Sequence, residues 1–179
     1  FIDDAHGFGV MGSQGQGTHF EQGVPEGVDI YFATFAKAMA SIGAFVSSKK
    51  EIILFLRYEM RSQTFAKAMP LPFVVGNLKR LELIQKHPEF KVKLWTIVNA
   101  MQKGLKDRGF NIGATNTCVT PVYLKGTTQE AANLIMDLRE NFGVFCSMVI
   151  YPVIPKGEIL IRIVPSADNT MEDVEITLN

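Results

Sequence analysis

Apolar and polar positions along the chain switch between two periods. Short apolar runs rich in β-branched and aromatic residues predict strands over Val28–Phe35 (VDIYFATF), Gly43–Ser47, Thr120–Leu124, Val144–Ile150 and Ile159–Val164. Phe1-Ile2 reads as the end of another buried strand. Apolar residues recurring every three or four positions predict helices over Lys49–Met60, about Pro72–Gln85, Val92–Arg108, Thr128–Asn141 and from Met171 onward. Thr127 or Thr128 offers an N-cap to the fourth of these, and Gly143 offers it a stop. Thr170 with Asp173 has the spacing of a capping box, with Asp in place of the usual Glu.

The order of these elements divides the chain. Residues 1 to about 60 read as strand–loop–strand–loop–strand–helix, the tail of a sheet-centred α/β domain. From about residue 92 a long helix precedes strand–helix–strand–strand–helix, an α+β unit with its own core. Arg61–Pro72 (RSQTFAKAMPLP) is expected to be a loop feeding the helix that joins them. The domain assignment is therefore 1–90 and 91–179.

Composition narrows the class without naming a function. Eighteen basic and eighteen acidic residues cancel over 179 positions. No basic stripe argues for a nucleic acid or an anionic membrane as partner. The longest apolar runs, such as EIILFL, are too short to span a bilayer. Cys118 and Cys146 sit in apolar runs with no ligand cluster around them, as buried reduced thiols of a cytoplasmic protein would, and no metal site is expected. The chain opens on Phe1 and stops partway through a helical pattern, so a fragment lacking material at both ends is expected.

Gly7, Gly9 and Gly12 satisfy G-x-G-x-x-G directly after the first strand, the pattern of a dinucleotide-binding turn. Such a turn needs a helix opening at its third glycine, whose N-terminus holds the pyrophosphate. The residues after Gly12 are SQGQGTHFEQG, glycine-rich and without apolar periodicity, and Asp29 stands at the start of the next strand rather than at its far end. A dinucleotide-dependent oxidoreductase is left as the weaker reading. The polar residues carry more. Asp3 follows a buried strand, where α/β ligand sites collect at the carboxyl edge of the sheet. His6 lies three residues on, and VDIYFATF ends at Thr34 with Lys37 three residues further. If the two strands are parallel neighbours, Asp3, His6, Thr34 and Lys37 converge on one edge.

D-x-x-H followed by T-x-x-K in this order resembles the pyridoxal phosphate site of fold-type I enzymes. TFAKAMASIG (Thr34 to Gly43) resembles the lysine-attachment signature of the class II aminotransferase-like group. DDAHGFGVMGSQGQGT resembles the D-[DE]-A-H-G-x-G segment of the α-oxoamine synthases. ILIRIVPSADNT (Ile159 to Thr170) and YPVIPKG (Tyr151 to Gly157) resemble two further blocks of that family. The motifs span essentially the whole chain in order, and on them the sequence is identified as similar to the α-oxoamine synthases.

That resemblance implies the C-terminal part of a fold-type I large domain followed by a small α+β domain, in a homodimer with the active site at the interface. It implies a pyridoxal 5'-phosphate-dependent acyltransferase condensing an amino acid with an acyl-CoA. Lys37 would form the Schiff base and serve as base for the α-proton, Asp3 would pair with the pyridine nitrogen, and His6 would hold the phenolic oxygen. Thr34 would give its hydroxyl to the cofactor phosphate, and Arg162 would hold the substrate carboxylate as a fork. FAKAMASIGAF and RSQTFAKAMP are most similar to bacterial members of the serine palmitoyltransferase type. The alternatives within the family are 8-amino-7-oxononanoate synthase and glycine C-acetyltransferase. An inactive partner subunit is the other alternative, and retention of Lys37 and Asp3 argues against it. The chain departs from the family at Gly43-Ala44, where Gly-Gly is usual, and at Asp168-Asn169, where Ala-His is common. Ala66 and Lys67 stand where hydroxyl residues reach the partner subunit's phosphate, so Lys67 is expected to supply a charge there instead.

Overall fold

Strands β1 (Ile2–Asp3) and β2 (Ile30–Thr34) run parallel, with Ile2 opposite Tyr31 and Asp3 opposite Phe32. Strand β3 (Ala44–Ser48) pairs antiparallel on the other side of β2, Thr34 facing Ala44. In this computed structural model, which describes residues 1–179, these strands belong to the first of two units, Phe1–Pro88 and Glu89–Asn179. The condition for the convergence of the polar residues, a parallel pairing of the two strands, is therefore met, on a central strand whose alternate residues Tyr31 and Ala33 are buried.

A parallel pair needs a long crossover, usually a helix. Here the crossover is glycine-rich loop, broken by a single turn of helix α1 (Thr18–Glu21) and a 3₁₀ turn at Pro25–Gly27. No helix opens at Gly12. The sheet is followed by α2 (Lys50–Glu59), α3 (Arg61–Phe65) and α4 (Leu71–Lys86). Helix α3 corrects the expectation of a continuous loop over Arg61–Pro72. The Gln63 and Thr64 amides close one turn on the Met60 carbonyl, and every residue of that turn is exposed. Nothing periodic is buried there, so no pattern betrays the turn in the sequence.

The second unit is a three-stranded antiparallel sheet in the order β4 (Thr120–Tyr123), β6 (Leu160–Ile163), β5 (Ser147–Val149). Around it lie α5 (Pro88–Asp107), α6 (Thr128–Asn141) and α7 (Met171–Leu178). Helix α5 begins four residues earlier than its apolar stripe, because Pro88 and Glu89 suit a first helical turn. Strand β5 is shorter than the apolar run that predicts it. The expected capping box of Thr170 with Asp173 forms, and of the two N-cap candidates Thr127 takes the position and makes a second capping box with Glu130. Ile97, Met101, Leu105, Ile112, Val122, Cys146, Ile161 and Val174 make one continuous apolar core. Both cysteines are buried and reduced, and burial pushes both thiols above their ordinary pKa.

Candidate active site

Strand alternation fixes the first functional choice. Asp3 and Asp4 are adjacent in an extended segment, so their side chains leave the chain on opposite sides. Asp3 is the exposed last residue of β1, where its Oδ1 accepts the Ala5 amide at 3.0 Å. Asp4 turns inward and is only 5% exposed. His6 comes next, exposed, on the turn that the Gly7 and Phe8 amides close on the Asp4 carbonyl.

The second loop leaves β2 in parallel with the first. Thr34 Oγ1 donates to the Gly43 carbonyl at 3.1 Å and accepts the Ala36 amide at 3.1 Å. It thereby closes the excursion between β2 and β3 at its base. Lys37 stands exposed on that excursion, followed by a tight turn in which the Ala40 amide reaches the Lys37 carbonyl at 2.9 Å. Ala40 sits at φ +44, a left-handed conformation unusual for a residue with a Cβ. Met39 is buried at 2% exposure and anchors the loop from below.

The two loops touch. Gly9 has φ +86, and a Cβ there would lie 2.7 Å from the Ala38 Cβ, beside Lys37. Phe8 from the first loop and Phe35 from the second both pack on Phe45 of β3, with ring centroids 5.1 and 5.5 Å apart. Phe8, Phe35, Met39 and Phe45 also line one side of an apolar cavity of about 510 Å³. Gly9 thus has a packing role within this chain.

Of the expected site residues, Asp3 and Thr34 end the parallel strands β1 and β2, and His6 and Lys37 lie on the two contacting loops that follow them. Lys67 is exposed in the segment between α3 and α4. That segment meets the Lys37 loop through Met69, whose methyl group fills the space a Cβ on Gly43 would take. Arg162 belongs to the second unit, in the middle of β6, opposite Pro121 on one side and Ser147 on the other. Its neighbour Ile161 enters the core, so Arg162 projects from the other face, where its Nε donates to Ser147 Oγ at 3.2 Å. No hydrogen bond or ion pair within the chain engages its two terminal nitrogens.

Sequence reasoning missed Asp4 and Tyr31. The Asp4 carboxylate accepts hydrogen bonds from the Thr18 amide at 2.7 Å, the Thr18 hydroxyl at 2.5 Å and the Tyr31 hydroxyl at 2.9 Å. Burial, and then the Asp4 carboxylate, push the Tyr31 pKa well up, keeping its proton in place as a donor. The signal available was the double acid after a strand, one member of which had to face inward.

The chain matches the family "Aminotransferase class I and II" over residues 1–179. It is 55% identical to the cysteate-C-fatty acyltransferase of Capnocytophaga ochracea, over 99% of this chain and 42% of that protein. It is 36% identical to the serine palmitoyltransferase of Bacteriovorax stolpii, again over 99% of this chain and 42% of that one. A serine palmitoyltransferase from S. paucimobilis, solved with PLP and myriocin bound, superposes with a TM-score of 0.91 at 26% identity. That superposition takes in 99% of this chain and 44% of the other. The chain therefore spans less than half the length of these relatives. With its family match running from end to end, the chain belongs to the class I and II aminotransferase family, in its α-oxoamine synthase group.

Proposed function

We propose that the protein to which this chain belongs is a pyridoxal phosphate-dependent acyltransferase that joins an amino acid to a fatty acyl-CoA, releasing CoA and carbon dioxide. The observation that carries this reading is the meeting of the Asp3–His6 loop and the Lys37 loop at the carboxyl ends of two parallel strands. The donor set fits the cofactor. An exposed carboxylate suits a protonated ring nitrogen, an imidazole suits a phenolic oxygen, and an exposed lysine suits the aldehyde carbon.

When bound, pyridoxal phosphate supplies an electron sink for a carbanion at the amino acid's α-carbon. Lys37 would hold the cofactor through Nζ and would carry the substrate's α-proton on that atom. Asp3, its Oδ1 steadied by the Ala5 amide, would keep a proton on the ring nitrogen. His6 orients the ring. Thr34 reaches the phosphate only by redirecting the proton it now gives to Gly43, so its first task is to set the mouth of the Lys37 loop. Arg162 takes the substrate carboxylate with its free fork nitrogens, as a member of a small second domain. Two copies form the enzyme, with Lys67 reaching the phosphate across the interface. Lys67→Ala with unchanged cofactor affinity would rule that contact out.

Cysteate is the amino acid this reading favours, because the match at 55% identity is to a cysteate enzyme and those to serine enzymes lie lower. Serine is the second reading. Assaying the full-length enzyme with cysteate, serine, glycine and alanine against short and long acyl-CoAs decides between them. Turnover of cysteate with a long-chain acyl-CoA is expected, and no turnover of any pair would overturn the proposal.

A further inference from the structure

We infer that Asp4 is a positioning residue for Asp3 and His6, acting through a hydrogen-bonded staple that fixes the loop between β1 and α1. The inference rests on the reading of Asp3 and His6 as cofactor-binding groups. Asp4 is buried, and a buried carboxylate is tolerated only where its oxygens are well supplied with donors. Three donors supply it, from two places far apart in sequence. Thr18 lies at the end of the glycine loop, and Tyr31 lies on the central strand next to Ile2.

The surroundings are built around this carboxylate. A Cβ on Gly7 would collide with Asp4 Oδ1 and the Thr18 hydroxyl. A Cβ on Gly17 would collide with Asp4 Oδ2 and the Tyr31 hydroxyl, and Gly17 also has φ +118. Two glycine backbones are thus pressed against one side chain. Gly17 has no side chain to cap α1, and Asp4 takes the Thr18 amide in its place. The loop between these points carries no helix and no apolar core, apart from buried Met11. Asp4 is also the residue through which the strand ladder ends, its amide reaching the Phe32 carbonyl at 2.8 Å, and its own carbonyl closes the turn bearing His6. Asp3 and His6 therefore hang from the two ends of a segment whose middle is clamped. Second partners of this kind set the orientation of the groups that touch a ligand, and a small misplacement there costs much of the binding.

The test uses the full-length protein, with Asp4→Asn and the milder Tyr31→Phe, which removes one donor and leaves the carboxylate. Pyridoxal phosphate affinity is measured, along with the His6 imidazole resonance in the cofactor-free protein. Both variants are expected to bind cofactor about tenfold more weakly and to move the His6 resonance. Asp4→Glu, which restores charge at a different reach, should recover less than half of that loss. If Asp4→Asn fails to fold, Tyr31→Phe decides alone. Affinity within about twofold of wild type in the folded variants overturns the inference, whether or not the resonance moves. A wild-type protein without cofactor affinity overturns the reading of the site instead, and the staple then stands or falls on the His6 resonance.

Discussion

The two units are held together by different means. The second has a continuous apolar core between sheet and helices, with both N-termini of α6 and α7 closed by capping boxes. The first has no comparable core. Its buried residues are few, and they include the carboxylate of Asp4 and the amide of Asn77. Order there comes from a hydrogen-bonded staple, three aromatic rings around Phe45, and glycines that let one loop lie on another. On the proposed function, the difference teaches where chemistry would be housed. A packed core specifies shape tolerantly, since apolar side chains of similar volume substitute for one another. Loops that must hold a carboxylate, an imidazole and an amine at one edge need directional bonds instead.

The comparison can be broken at several points, the most severe first. Lys37→Ala should remove activity of the full-length enzyme by several orders of magnitude while leaving the melting temperature nearly unchanged, since Lys37 is exposed and buries nothing. In the second unit the balance reverses. Ile161→Ala should cost ~2–5 kcal/mol in denaturant unfolding, as buried truncations do. Gly9→Ala should cost ~1–2 kcal/mol for its left-handed backbone alone. Its Cβ also displaces Ala38, so cofactor affinity should fall with stability, a pairing that Ile161→Ala should not show.

Smaller effects sharpen the picture. Thr127→Ala should cost ~1 kcal/mol by removing the α6 cap. The Thr127 amide and then its hydroxyl hold the Glu130 carboxyl below its ordinary pKa of 4.5. A depressed carboxylate adds stability above its unfolded pKa and loses it as the pH falls through the folded one. The gap between wild type and Thr127→Ala should therefore narrow below about pH 4.5 in pH-dependent unfolding. Smallest is Ala40→Gly. It relieves φ +44 and should stabilise the first unit by ~0.5–1 kcal/mol, measured by thermal unfolding.

Much of this was legible in the sequence, and unevenly so. The strands, the longer helices, the α6 cap and the Thr170 capping box follow from periodicity and from Thr127, Thr170 and Gly143, because burial on one face leaves a repeating trace. Two strands ending in polar residues made the convergence of Asp3 and Lys37 conditional on a parallel pairing of β1 and β2, and the sequence itself did not decide that pairing. Helix α3 was not legible, since a single exposed turn buries nothing. Nor was the division of labour between Asp3 and Asp4, which depends on which way one strand faces. The glycines announced a tight loop. That Gly7 and Gly17 make room for Asp4, and Gly9 for Ala38, is a matter of contacts distant in sequence, and no local pattern records them.

The central claim is that Lys37 is the residue that holds the cofactor. It is tested most directly by reducing the full-length protein with borohydride in the presence of pyridoxal phosphate and mapping the modified peptide by mass spectrometry. The account predicts a pyridoxyl group on Lys37 and no labelling of the Lys37→Ala variant. A label on Lys67 or elsewhere, or none at all, would contradict it.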